Sequence, residues 1–187
     1  IRRGEPERAV DLFFAYVANA TGTNDWAETM SLYHTFDEFD PPRVGVRGQG
    51  DAPHGEACAN YINFLRNLML HEEGDSLHIA PAIPRRWLAQ PEPVGMEEAP
   101  SYFGPVSYHL VADSDRVTIR GDVSLDPKRK PAKLLIHVRG YGGKGISSVR
   151  VNGKRWDFFT GDTVVLPNPT AQIRFEVKYN AQQSTKS

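Results

Sequence analysis

The chain has 187 residues, 40% hydrophobic and 24% charged, which is enough apolar material for a core beneath an ordinary polar surface. Its 22 Lys+Arg are balanced by 23 Asp+Glu, a formal net charge of -1, and this argues against a nucleic-acid or anionic-membrane partner, since both select a basic face. The single cysteine, Cys58, excludes an intrachain disulfide and a cysteine-based zinc cluster, and no apolar run of about 18 residues is present to span a membrane.

The chain opens on Ile1-Arg2-Arg3-Gly4, without a methionine or the apolar stretch of a signal peptide. Val10, Phe13, Phe14 and Val17 then fall at helical spacing just after Glu5-Pro6, and Gly22 stands past the end of that stripe. A second helical stripe runs through Cys58, Tyr61, Ile62, Leu65, Leu68 and Met69, with charge and amide groups opposite. Cys58 reads as a small core residue of this stripe. Between the two stripes, Thr23 to Pro53 carries Pro41-Pro42, Gly45, Gly48 and Gly50 and few apolar repeats, a length that is usually functional. Two helices alone do not enclose a core. The expectation is therefore that further helical protein, from the same polypeptide or another chain, precedes Ile1 and packs on them.

From Asp75 onward the period becomes two. Ser76–Ala80, Val106–Ala112, Arg116–Leu125, Lys133–Arg139, Ser148–Asn152, Thr163–Leu166 and Gln172–Tyr179 read as strands. Turn-forming residues separate them, and Asn152-Gly153 is the clearest hairpin signal. Short strands without intervening helices predict an antiparallel sandwich. The fold class expected is α+β, with a helical part over 1–73, a β-sandwich over 74–182 and a frayed tail over 183–187.

Polar and aromatic chemistry concentrates around the long connection. Asp25-Trp26-Ala27-Glu28 sets two carboxylates beside an indole, Tyr33-His34 follow, and Asp51 to Glu56 opens the second helix. Glycosidic hydrolysis uses two carboxylates across the scissile bond. An apolar indole beside Glu28 raises its pKa, which suits an acid more than a base and leaves its role open. Two readings stand for each neighbour. Asp51 is an N-cap-type residue with Pro53 in the first turn, or part of a site. Glu56 in the first turn favours the helix dipole. His54 caps the helix or contacts a ligand, and Trp26 is core packing or a stacking platform. The six histidines show no ligand spacing, so no metal is expected. The glycine-rich stretch Gly140 to Gly145 lies between strands, with no helix to supply phosphate-binding amides.

The stretch Pro53 to Leu88, and in particular the junction Phe64 to Leu88, resembles the end of the helical domain in six-hairpin glycosidases, where an (α/α)6 barrel is followed by a β-sandwich. Ala99 to Tyr108 and Val149-Arg-Val-Asn-Gly153 resemble that appended sandwich. The group includes the α-L-rhamnosidase-like glycoside hydrolases, and the resemblance spans nearly the whole chain. It implies the last helices of such a barrel, a carbohydrate substrate and no cofactor. In the rhamnosidase-like members a Trp-Glu pair supplies the general base and a histidine at the next helix start lines the site. Trp26-Ala27-Glu28 resembles that pair with one residue inserted, which turns Glu28 relative to Trp26, and His54 falls where the histidine would. The resemblance thus implies Glu28 as the catalytic carboxylate, with Trp26, Asp51, His54, Tyr33 and His34 as substrate-binding candidates. It also implies a general acid on earlier helices that this chain does not contain, and hence an inactive fragment.

Two other readings remain. A polysaccharide lyase of toroid-plus-sandwich type would abstract a proton with Tyr33 and His34. A non-catalytic sandwich would bind glycans on Tyr102, Phe103, Tyr108, Tyr141, Trp156, Phe158 and Phe159, or merely buttress the helices. An exposed aromatic row favours binding, and burial favours the buttress.

Overall fold

A computed structural model describes residues 4–18, 20, 26, 54–114, 117–140 and 145–180. Among these residues are two α-helices, α1 (Pro6–Ala18) and α2 (Gly55–Met69), and two mostly antiparallel β-sheets. Proline in the first turn of α1 loses no hydrogen bond, because that N–H has no intrahelical partner anyway. The predicted stripe buries Val10 and Phe13, together with Ala9. In α2 the N-cap is His54, whose Nδ1 accepts from the Ala57 N–H at 3.4 Å. The helix starts at Gly55 with His54 as its N-cap, while Asp51 and Pro53 lie outside the described residues. A helix has one N-cap, and the imidazole occupies it. Glu56 does lie in the first turn, and Arg66 lies in the last.

The strands are β1 (Leu70–Glu73), β2 (Ser76–Ile79), β3 (Val94–Ala99), β4 (Val106–Ala112), β5 (Thr118–Leu125), β6 (Lys133–His137), β7 (Ile146–Val151), β8 (Lys154–Trp156), β9 (Phe159–Thr160), β10 (Thr163–Pro167) and β11 (Gln172–Tyr179). They form a five-stranded sheet, β1-β2-β6-β10-β9, and a six-stranded sheet, β3-β4-β5-β11-β7-β8. The pairing of β2 with β6 is parallel and the others are antiparallel. All seven strands expected from the period-two pattern are present. Asn152 and Gly153, at φ 49° and 79°, make the predicted two-residue turn between β7 and β8.

The first sheet begins at Leu70, inside the segment read as helical. Leu70 is already extended (φ -145°, ψ 126°), so α2 becomes β1 without a linker. Gly74, at φ 58°, then supplies the left-handed position of the tight β1–β2 turn. Strand β3 gives no alternating signal, because its register shifts between Met96 and Ala99 and Glu98 sits at φ 49°.

The inner faces meet in one core. Leu77, Ile79, Leu134, Ile136, Val164 and Leu166 come from the first sheet. Val106, Tyr108, Leu110, Val123, Ile173, Phe175 and Val177 come from the second. Gly121 lies opposite Phe175 in the register, and a β-carbon there would stand 2.6 Å from the phenyl ring.

A smaller cluster joins helices to sandwich. Ala9, Phe13 and Leu68 pack with Ala82 from the segment after β2, flanked by Phe14, Val17, Tyr61, Phe64 and Leu65. Polar ties reinforce it. Buried Tyr108 donates its hydroxyl to the Met69 carbonyl at 2.8 Å. The Ala80 and Ala82 N–H groups donate to Met69 and Leu68, the last carbonyls of α2. Those acceptors have no intrahelical partner, so the sandwich completes the C-terminus of α2.

Candidate functional site

Of the predicted site residues, Trp26 and His54 are among those described, while Glu28, Tyr33, His34 and Asp51 lie outside them. The two are brought together: the His54 N–H donates to the Trp26 carbonyl at 2.9 Å. The indole is 6% exposed, so it serves packing more than stacking on a ligand. It lies 4.5 Å from the Tyr61 ring and 5.6 Å from Tyr16, nearly parallel to both. Its N–H donates to the Tyr16 carbonyl at 3.0 Å, and the Tyr16 hydroxyl donates to the Ala57 carbonyl at 2.7 Å. Trp26 is thus pinned to both helices.

A second polar constellation was not legible in the sequence. His78 on β2 and His137 on β6 occupy outward positions, each next to residues buried in the core. Parallel pairing of those strands brings His78 Nδ1 to 3.0 Å from His137 Nε2, with the rings 13° apart. His137 Nδ1 is 3.1 Å from the Thr163 hydroxyl on β10. On the other side His78 Nε2 faces the Glu73 carboxylate at 3.9 Å, and His71 of β1 is the cross-strand neighbour of His78. Burial, with the charges of His78 and Arg139, pushes His137 down to about 3. Burial and His71 lower His78 as well, and Glu73 opposes that shift.

Glu73, His78, His137 and Thr163 line a cleft of 660 Å³ where Gly4 and Pro6 meet the first sheet. Two arginines form its wall. Arg139, 2% exposed, donates to the Ile83 carbonyl at 2.6 Å and pairs with Glu7 of α1 at 2.5 Å. Arg85 donates to Glu7 at 2.8 Å, to Asp162 at 3.0 Å and to the Gly140 carbonyl at 2.9 Å. Hydrogen bonds from Arg139 and Arg85 hold the Glu7 carboxyl below its ordinary range. The cations are therefore committed to tying α1 to the sandwich.

A cleft of 980 Å³ on the outer face of the second sheet is lined by His109, Arg120, Asp122 and Arg174, among others. His109 sits between Glu97 at 3.3 Å and Asp122 at 3.5 Å, and Arg120 bridges Asp113 and Glu176. The phenyl ring there, Phe175, is 4% exposed and offers no stacking face.

The sandwich aromatics divide unevenly. Tyr108 is fully buried; Phe103, Trp156 and Phe159 pack against the core; Tyr102 and Phe158 are exposed. Tyr141 lies outside the described residues. Among the described residues no group of three or more His, Cys, Asp or Glu is arranged to hold a metal ion, and no helix is long and apolar enough to cross a membrane. The chain matches no protein-family model and no curated protein.

Proposed function

We propose that this chain is the C-terminal part of a glycoside hydrolase, in which α1 and α2 belong to the end of an (α/α)6 barrel and the sandwich buttresses them. The observation that carries the reading is the contact between His54 and Trp26 at the start of α2. It ties together two parts of the chain that the resemblance to six-hairpin glycosidases assigns to one substrate site. Glu28, two residues along the chain from Trp26, would be the catalytic carboxylate, and Asp51, Tyr33 and His34 would contact the sugar. Hydrolysis would proceed by carboxylate acid/base chemistry, with the general acid on helices preceding Ile1.

The buttressing part of the proposal has its own support. Most of the described sandwich aromatics are turned into the core or against it, and the sandwich supplies both the hydrogen-bond donors at the end of α2 and the arginines that hold α1. A glycan-binding sandwich would instead need an exposed aromatic row. The test is hydrolysis of aryl α-L-rhamnosides and related aryl-glycosides by the longer polypeptide with its preceding helices, before and after Glu28→Gln. Loss of turnover by about 10³-fold or more would support Glu28 as base or nucleophile. An active enzyme indifferent to the change would remove Glu28 from the chemistry.

A further inference from the structure

The polar chain across β1, β2, β6 and β10 can run in two directions, and the Glu73 charge selects one at neutral pH. A carboxylate facing His78 Nε2 favours a proton on that nitrogen, which leaves His78 Nδ1 as the acceptor. His137 then donates from Nε2, and its Nδ1 accepts from the Thr163 hydroxyl.

A first added proton is accommodated without breaking this chain. It binds His137 Nδ1, and the Thr163 hydroxyl turns from donor to acceptor. The charge can pass to His78, next to Glu73, if the shared proton crosses from His137 Nε2 to His78 Nδ1. A second proton leaves no acceptor between the rings, so N–H would face N–H across a 3.0 Å gap. The surrounding charges make that state worse. His71 lies beside His78 on the one side, and Arg139 and Arg85 line the same cleft on the other. Of the acidic groups, Glu7 and Asp162 are already paired with those arginines, and Glu73 faces His78.

We propose that the Glu73–His78–His137–Thr163 chain is an acid-released latch, which holds one added proton intact and parts on the second, loosening α1 from the sandwich. The link to α1 is short. Arg139 follows His137 by two residues, and Asp162 immediately precedes Thr163. Arg139 and Arg85, the latter bound to Asp162, are the groups that grip Glu7 of α1. Displacing His137 from Thr163 and His78 therefore disturbs both arms of the grip. This inference stands independently of the glycosidase reading, because it concerns the described cleft and not Glu28.

The test is hydrogen exchange of the chain between about pH 7 and about pH 4, corrected for intrinsic exchange. The expected result is that α1 loses protection relative to β11 by about ten-fold or more, and that His137→Gln, which cannot take the second proton, abolishes the differential loss. Parallel loss in α1 and β11 would overturn the latch. So would an unchanged differential in His137→Gln, which would transfer the effect to protonation of Glu7. Should that variant fail to fold, ring nitrogen chemical shifts of the unmodified chain decide. Both His78 and His137 are expected as Nε2–H tautomers at neutral pH, and an Nδ1–H tautomer on either would sink the proposal.

Discussion

Arg66 grips Glu72 at two points across the residue where α2 becomes β1, with Nη2 2.6 Å from Oε1 and Nη1 2.9 Å from Oε2. The same guanidinium donates to the carbonyls of Leu70 and Pro100. Burial alone would raise the Glu72 carboxyl, but the Arg66 hydrogen bonds and charge bring it below its ordinary range. One cation thus links the helix end, the first strand and the segment after β3.

Arg66→Met should cost about 2–3 kcal/mol in urea unfolding, below the full penalty for breaking a buried pair because the arginine side chain is 25% exposed. Replacing both residues by methionine should recover much of that loss, since no lone carboxylate then remains beside the core. A single variant as stable as the parent would show that the grip contributes nothing net.

Trp26→Ala should lower stability by about 3–5 kcal/mol, the range for emptying a buried indole site. Trp26→Phe should cost less, about 1–2 kcal/mol, because it keeps an aromatic ring beside Tyr61 but loses the N–H to the Tyr16 carbonyl. Urea midpoints of the two variants check this. A silent alanine substitution would mean that the indole adds nothing net to the packing on the helices.

Gly121→Ala should destabilise by about 1–3 kcal/mol through overpacking. The new methyl would lie 2.6 Å from the Phe175 ring and would also meet the backbone carbonyl of His109. Adding Phe175→Leu should relieve the first contact and leave the second, giving partial rescue in thermal unfolding. Complete rescue would place the whole cost on the ring.

Stability should fall as pH drops from about 6.5 toward about 3, because His137 titrates at about 3 when folded and the unfolded chain takes up its proton first. The gradient from one such group reaches about 1.4 kcal/mol per pH unit. Glu7 and Glu72, both lowered, add their own loss as pH falls below the ordinary carboxylate value of 4.5. Urea midpoints against pH should be flatter for His137→Gln above about pH 5. Identical profiles would remove His137 from the acid dependence.

What the sequence by itself determined is the local part of this molecule. The spacing of Val10, Phe13, Phe14 and Val17 sets α1, alternation sets seven strands, and Asn152-Gly153 sets a turn, because each follows from which face a short segment must bury. The start of the sheet was hidden, since Leu70 continues the apolar stripe of α2 and only its pairing with Ile79 makes it a strand. Of the candidate site, the sequence supplied residue types but not partners. The packing of Trp26 on α1 and α2 decided that it is buried and that its carbonyl meets His54. The histidine pair is the extreme case. His78 and His137 share no spacing, and each alone reads as an ordinary outward residue of an alternating strand. They meet because Leu77, Ile79, Leu134 and Ile136 bury themselves on the opposite face and fix the parallel register of β2 against β6. Hydrophobic burial on one side of a sheet thus dictates the polar chemistry on the other.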